Sequence, residues 1–132
     1  MNIALIAHDS KKKLMQNFCI AYRSILSHHT LYATGTTGRL IEEATGLTLH
    51  KFLAGHIGGE EQAGAMIEQN QIDLVIFFRD PNIHGLNHGV DINKVIRLCD
   101  LHSVPLATNI GCAEMLLKSL ERGDLEWREM YR

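Results

Sequence analysis

Residues 74–78 read Leu-Val-Ile-Phe-Phe, and residues 2–7 read Asn-Ile-Ala-Leu-Ile-Ala. Both stretches are short and apolar at consecutive positions, which is typical of strands whose two faces are both buried. Amphipathic segments with helical spacing separate them from further short apolar runs. This alternation predicts one α/β domain over residues 1–132, doubly wound in three layers around a mostly parallel sheet of about five strands.

The other elements follow from the same periodicity. Further strands are predicted at 30–33, 47–53 and 104–108. Helices are predicted at 11–26, 37–45, 60–69, 91–102 and 113–120, with Gly46 ending the second of them. The long segment 79–90 has no periodicity, and loops of that length in small domains are often functional.

Composition excludes several classes of protein. The chain has 132 residues, 45% hydrophobic and 21% charged, with a net charge of −2. These are ordinary globular values, and the absence of a basic excess predicts no nucleic-acid or membrane partner. The apolar residues 1–7 lack a basic leader, so we expect no secretory signal. Three widely spaced cysteines without a Cys-x-x-Cys motif predict reduced thiols in a cytoplasmic protein.

Ligands of doubly wound sheets bind beyond the carboxyl ends of the strands. In this sequence the glycines and polar residues gather in the segments that follow the predicted strands. These segments are His8 and Asp9, residues 34–38, residues 54–60, residues 79–81 with Asp80, and Thr108 with Asn109. The sequence therefore predicts a binding site at this edge of the sheet, and His8 is a candidate functional residue there.

Residues 34–38 read Thr-Gly-Thr-Thr-Gly between a strand and a helix. Free backbone N–H groups, threonine hydroxyls and a helix N-terminus suit a phosphate, although the spacing of a nucleotide P-loop is missing. The alternative is a helix N-cap with a tight turn. Residues 11–13 are three lysines at a predicted helix start, where cations oppose the helix dipole. A bound dianion would explain why one of these lysines is tolerated there. For at least two of the three, a solvated helix face is the better explanation.

Two more groups of residues carry candidate chemistry. Glu60 and Glu61 follow a glycine-rich segment at a helix start, either as complements to the helix dipole or with one as a catalytic base. The long segment and the position after it contain three further candidates, His84, His88 and Asp91. The histidines are candidate acids or metal ligands, or are simply exposed, and Asp91 is alternatively the N-cap of the next helix. Gly85 and Asn87 argue against a two-histidine zinc helix, so we expect no metal.

Together these segments resemble the methylglyoxal synthase family. Residues 31–38, Leu-Tyr-Ala-Thr-Gly-Thr-Thr-Gly, carry the most specific part of the resemblance. The other matching stretches are 3–9, 43–46, 58–59 with Gln62 and 64–65, 73–81, 96–100 and 105–109, in the right order over nearly the whole chain.

The resemblance implies a three-layer α/β fold and conversion of dihydroxyacetone phosphate to methylglyoxal and phosphate, a bypass of glycolysis. It also implies that the enzyme needs no metal or organic cofactor, is typically a homohexamer, and has phosphate as product and candidate inhibitor. The implied phosphate ligands are Lys12, Thr34, Thr36, Thr37 and Gly55. The implied catalytic partners are His8, His88 and Asp91, and the supporting residues are Asp9, Asp80 and Arg97, the last through subunit contacts.

The catalytic base of the family is the aspartate of Gly-Gly-Asp-Gln-Gln, and here that stretch reads Gly-Gly-Glu-Glu-Gln. The resemblance therefore assigns the base to Glu60, which is one methylene longer. The loop 82–90 is one residue longer than is usual in the family, so His84 competes with His88 for the same role. Two alternatives remain open: a non-catalytic phosphate or sugar-phosphate sensor, and another lyase or isomerase on the same fold.

Overall fold

Five strands pair in parallel in one sheet of the computed structural model, which describes residues 1–52, 59–83 and 92–131. Their bounds are β1 Asn2–Ala7, β2 Thr30–Thr34, β3 His50–Phe52, β4 Leu74–Phe78 and β5 Leu106–Ala107. The order across the sheet is β3-β2-β1-β4-β5, so the chain winds outward from β1 in one direction and then in the other. The predicted doubly wound α/β class is confirmed.

Six helices cover the two faces of the sheet in these described ranges. Their bounds are α1 Lys12–Ala21, α2 Arg23–Leu26, α3 Gly35–Thr45, α4 Gly59–Glu68, α5 Ile92–His102 and α6 Ile110–Glu121. Apolar residues of α1, α3 and α6 share one core cluster, and those of α4 and α5 share the other. The predicted arrangement of three layers is therefore also confirmed.

The two stretches that decide the fold form the centre of the sheet. β1 pairs with β2 on one side and with β4 on the other, so that Leu5 lies between Ala33 and Ile76. Every residue of β4 and five of the six residues of β1 are buried. Each large apolar side chain buried in this way contributes about 1.5–3 kcal/mol relative to exposure. The predicted bounds of both strands are confirmed.

The predicted strand 47–53 is wrong over its first three residues, because side chains of α3 bind the main chain there. Thr45 Oγ1 accepts from the Leu47 N–H at 3.1 Å, and Glu42 Oε2 accepts from the Leu49 N–H at 3.1 Å. Both leucines are still buried, so the apolar pattern reports core packing and not strand pairing. Residue 53 lies outside the described residues.

The predicted strand 30–33 and the predicted helices 37–45 and 60–69 differ from β2, α3 and α4 by one or two residues at an end, and three other elements differ for reasons that the structure shows. The predicted helix 11–26 is broken at Tyr22, whose dihedrals of −107° and 19° are not helical. The last predicted helix begins earlier, at Ile110, because Asn109 Oδ1 accepts from the Cys112 N–H at 3.0 Å and caps it. The predicted strand 104–108 shortens to β5, since the Val104 N–H donates to Cys99 O at the end of α5.

One unpredicted element closes the amino edge of the sheet. A 3-10 helix at Glu126–Tyr131 brings Arg128 to Asp73, which precedes β4. All three cysteines are free, two of them buried, which agrees with the expectation of reduced thiols. Among the residues described, no helix combines the length and apolar character needed to cross a membrane.

Candidate active site

The carboxyl ends of β1, β2 and β4 lie side by side at one edge of the sheet. His8 follows β1, Thr34 ends β2, and Asp80 stands two residues after β4. The chain reverses its winding direction between β1 and β4, and such switch points form a crevice in doubly wound sheets. The structure therefore places these three predicted residues where a ligand of this fold is expected to bind.

The imidazole of His8 is held in one orientation at the end of β1. The side chain is buried, and its ring meets Phe77 edge-on with ring centroids 5.2 Å apart. The main-chain N–H of Asp80 donates to Nδ1 at 2.8 Å. Because this hydrogen bond uses the Nδ1 lone pair, the neutral ring carries its proton on Nε2.

Thr34 stands at the N-cap position of α3 without capping it. Its backbone is extended, with dihedrals of −66° and 153°, and its side chain makes no capping hydrogen bond. Thr34 and Thr37 are both buried, and Thr36 is half-buried. The N-terminal N–H groups of a helix need partners, and an anion at that end supplies them. The Thr34 side chain therefore does not supply the helix cap that was the alternative to the phosphate hypothesis.

Lys12 connects the start of α1 to this threonine segment. Its Nζ lies 3.5 Å from Thr37 Oγ1 and 3.1 Å from Asp9 Oδ1. The Lys12 side chain is 20% exposed, whereas that of Asp9 is 98% exposed. Of the other two lysines, Lys11 is half-buried and Lys13 is exposed. Lys12 thus faces Thr37, one of the predicted phosphate ligands, and of the two lysines expected to be solvated only Lys13 is fully exposed.

The carboxylate of Asp80 is bound at both oxygens. Ser10 Oγ donates to Oδ2 at 2.7 Å, and the Asn82 N–H donates to Oδ1 at 2.8 Å. The Ser10 bond, then the Asn82 bond, lower the pKa of this carboxyl below its ordinary value, and burial opposes them. Lys11 and His8 add smaller contributions that also lower this pKa.

Several predicted site residues lie outside the described residues: Gly55, His84, His88 and Asp91. Glu60 is the second residue of α4, with its side chain outside the description. Arg97 is exposed on α5. In the ranges that the structure does describe, no group of three histidine, cysteine or acidic side chains is placed to hold a metal ion.

Comparisons with known proteins agree with this geometry. A sequence model of the MGS-like domain matches residues 15–108. The methylglyoxal synthase of Caldicellulosiruptor saccharolyticus is 64% identical over 130 residues, which cover 98% of this chain and 92% of that protein. The chain belongs to the methylglyoxal synthase family.

Two further members of the methylglyoxal synthase family extend the comparison. The methylglyoxal synthase of Listeria welshimeri is 56% identical over 132 residues, covering 100% of this chain and 98% of that protein. The crystal structure of methylglyoxal synthase from Elizabethkingia anophelis matches with a TM-score of 0.83 at 42% identity, over 88% of this chain and 76% of that one. These names favour the catalytic hypothesis over the sensing module.

Sequence reasoning identified the edge segments of this methylglyoxal synthase fold but missed Ser10 and Asn82, which bind the Asp80 carboxylate. One signal was available. Residues 80–82 read Asp-Pro-Asn, and an aspartate before such a turn often accepts from the main chain two residues on. No comparable local pattern connects Ser10 to Asp80, because the two residues are 70 positions apart.

Proposed function

We propose that the chain is a methylglyoxal synthase, a carbon–oxygen lyase that converts dihydroxyacetone phosphate to methylglyoxal and inorganic phosphate. The observation that carries the proposal is the 3.5 Å approach of Lys12 Nζ to Thr37 Oγ1 at the start of α3, in a chain of this family. An ammonium, buried hydroxyls and a helix N-terminus together suit the phosphate dianion of that substrate.

The phosphate ligands in this proposal are Lys12, Thr34, Thr36, Thr37 and Gly55. Three features support the first four. β2 ends beside β1, which brings Thr34 next to the segment that leads into α1. Among the described residues, the ion partner of Lys12 is the exposed Asp9. The Thr34 side chain does not occupy the capping position of α3. A phosphate bound there would satisfy donors of α3 and compensate the Lys12 charge.

The first chemical step in this proposal is a proton transfer to Glu60. Its carboxylate takes a proton from the hydroxymethyl carbon of the substrate, and the electron pair forms an enediolate. His88, oriented by Asp91, donates to the carbonyl oxygen, where negative charge develops. Donors that are fixed in advance at such an oxygen contribute several kcal/mol, judged from losses of about 3–4 kcal/mol when one is removed.

The second step breaks the carbon–oxygen bond to phosphate. The hydroxyl on the carbon that was deprotonated gives its proton to the departing phosphate and becomes the aldehyde carbonyl, the carbon–carbon double bond shifts to the carbon that carried the phosphate, and the phosphate leaves with the electron pair of the broken bond. The resulting enolate takes up a proton at the carbon that carried the phosphate and becomes methylglyoxal. The carbon–oxygen bond to phosphate must stand perpendicular to the enediolate plane so that its electrons overlap the π system. A phosphate held by Lys12 and the three threonines would fix that torsion. The Nε2–H of His8 would stabilise the departing oxygen.

The test is to incubate the purified protein with dihydroxyacetone phosphate and measure methylglyoxal and phosphate together. We expect release of both in equal amounts. A general base typically accelerates a reaction on the order of 100- to 10,000-fold, so the activity of Glu60→Gln should be lower than that of the unmodified protein by at least about 100-fold. Glu61→Gln is the matched control, since Glu61 is the exposed neighbour in α4. Glu60→Asp withdraws the carboxylate by about 1.5 Å and should cost on the order of 100-fold.

Each result has a direct interpretation. Activity that survives in Glu60→Gln would refute Glu60 as the base while leaving the reaction intact. No release by the unmodified protein would refute the synthase proposal. If phosphate then still protected the chain against heat, the sensing module would be the better hypothesis.

Assembly and location belong to the same proposal. The family resemblance supports a cytoplasmic homohexamer in a bypass of glycolysis, with Arg97 at subunit contacts and phosphate as an inhibitor as well as a product. The exposure of Arg97 on α5 is compatible with a contact role. Sedimentation velocity on the unmodified chain and on Arg97→Ala tests the subunit count, and product inhibition kinetics test the role of phosphate.

A further inference from the structure

Hydrogen bonds join the turn that follows β1 to the turn that follows β4, beyond the end of the sheet. The His8 N–H donates to Phe78 O at 3.1 Å, which continues the ladder between the two strands by one step. The Asp80 N–H to His8 Nδ1 bond and the Ser10 Oγ to Asp80 Oδ2 bond lie beyond that step. Ser10 therefore takes part in the contacts that bring Asp80 to His8.

Ser10 is itself held in a defined place. It is the middle residue of a 3-10 helix, Asp9–Lys11, which begins directly after His8. The Lys11 N–H donates to His8 O at 2.8 Å, so this turn closes on the residue that carries the imidazole. His8 and Ser10 therefore belong to the same hydrogen-bonded turn, and Asp80 contacts both of them.

The orientation of the Asp80 main chain depends on its side chain. With Oδ2 bound by Ser10 and Oδ1 bound by the Asn82 N–H, the carboxylate is fixed at both ends. Its main-chain N–H is thereby directed at His8 Nδ1. A hydrogen bond to one ring nitrogen of a histidine determines which nitrogen carries the proton. Loss of the Ser10 bond would release one end of the carboxylate and weaken that control.

We propose that Ser10 is a positioning residue of the reaction: it holds Asp80 so that the Asp80 N–H stays on Nδ1 of His8, and the imidazole offers an Nε2–H to the departing phosphate. The reaction part of this inference rests on the proposed function. The positional part does not, because it concerns the tautomer of His8 in the chain without substrate.

The first measurement is the His8 tautomer, read from long-range nitrogen–proton NMR correlations and assigned with His8→Gln. We expect the unmodified protein to show the Nε2–H form. Ser10→Ala should add a population with the proton on Nδ1, and Ser10→Thr, which keeps a hydroxyl, should restore the original form. Ser27→Ala is the matched control, because exposed Ser27 donates to Ser24 O at 2.7 Å in a distant turn.

The second measurement is kcat and KM with dihydroxyacetone phosphate across pH. In Ser10→Ala we expect kcat to fall on the order of tenfold, the usual scale for a lost hydrogen bond to a charged group, with KM changed by less than about twofold. Loss of the Ser10 bond removes the largest cause of the lowered Asp80 pKa, so this pKa should rise toward its ordinary value in the variant. The charged neighbours that still act on Asp80, Lys11 and His8, are unchanged in this variant.

Two outcomes would overturn the proposal. One is a Ser10→Ala protein with the His8 tautomer, kcat and pH profile of the unmodified chain. The other is a loss of kcat in which the His8 tautomer stays fixed, since that would make Ser10 merely structural. If the unmodified chain makes no methylglyoxal, the proposed function fails, and the tautomer measurement still decides whether Ser10 positions His8.

Discussion

Replacement of Arg128 by methionine should remove a large share of the polar stabilisation at the amino edge of the sheet. The guanidinium is buried and donates four hydrogen bonds to segments that precede β4 and β5. Nε donates to Asp73 Oδ1 at 3.3 Å, and one terminal nitrogen donates to Ser103 O at 2.6 Å. The other donates to Asn70 Oδ1 at 3.3 Å and to Ile72 O at 3.2 Å. Methionine keeps the apolar stem and removes all four donors.

The expected cost follows from the burial of the partner. Arg128 and Asp73 have side chains that are 2% and 0% exposed. Removal of one member of such a pair leaves a buried charge without its counter-charge, which costs about 3–5 kcal/mol. A domain has a free energy of unfolding of only about 5–15 kcal/mol, so this loss would be a large fraction of it.

A second substitution in the same chain separates charge from packing. Asp73 Oδ2 also accepts from the Asn2 N–H at 2.8 Å, and asparagine at position 73 would keep an oxygen for that bond. Asp73→Asn in the Arg128→Met protein should therefore restore about 1–3 kcal/mol, the usual penalty for an uncompensated buried polar group. In the unmodified chain the same substitution should destabilise.

Urea unfolding at one protein concentration measures these differences through the midpoint and slope. Circular dichroism follows the whole fold. Fluorescence of Trp127, the single tryptophan, follows the 3-10 helix, because its ring centroid lies 5.4 Å from Arg128 Cζ. The control is Arg122→Met. Arg122 pairs with Asp124 at 2.9 Å with side chains 64% and 49% exposed, and exposed pairs contribute about 0–1 kcal/mol.

The reasoning would be refuted by an Arg128→Met protein within about 1 kcal/mol of the unmodified chain, a loss no larger than that of the exposed control. It would also be refuted if Asp73→Asn destabilised the Arg128→Met protein further. That result would show that the carboxylate at position 73 stabilises the fold without its guanidinium partner.

Three more predictions concern packing and thiols. Gly38→Ala places a Cβ 2.7 Å from Lys51 Cγ and should lower the free energy of unfolding by about 1–3 kcal/mol. Gly111→Ala, whose Cβ has its nearest contact at 3.4 Å, is the control and should be neutral or stabilising. Equal melting temperatures of the two variants would refute this prediction. Exposed Cys112 should react with a thiol reagent in the native protein. Burial raises the pKa of the Cys19 and Cys99 thiols to about 12, so these two should react only after unfolding. Because the unfolded Cys19 thiol loses its proton near pH 9.0 and the folded one near 12, urea midpoints should fall as pH rises between those values.

The sequence could predict the centre of the fold because burial on both faces leaves a continuous apolar run. β1 and β4 have this property and were found with their correct bounds. The strand predicted at 47–53, Leu-Thr-Leu-His-Lys-Phe-Leu, has apolar residues interrupted by polar ones, and main-chain N–H groups of its first residues bind side chains of α3. Hydrophobicity reports burial there, and only the partner of each N–H distinguishes a strand from a packed connection.

The site divides in the same way. The rule that ligands bind at the carboxyl ends of strands brought His8, Thr34 and Asp80 to one edge, and the structure places them there. The bond from Ser10 to Asp80 was beyond prediction, since it depends on how two turns 70 residues apart meet. The role of Arg128 was missed for a similar reason, because a single arginine near the end of a chain carries no periodic signal.

The two edges of the sheet show opposite electrostatics, and this contrast supports the functional interpretation. At the amino edge a buried arginine meets a buried aspartate, so the charges compensate each other inside the protein. At the carboxyl edge the Lys12 ammonium meets the hydroxyl of Thr37, and the ion partner that the described residues give Lys12 is an almost fully exposed Asp9. Stability alone would favour the first arrangement at both edges. A mostly buried ammonium beside a threonine hydroxyl at a helix N-terminus is typical of a site that binds an anionic ligand.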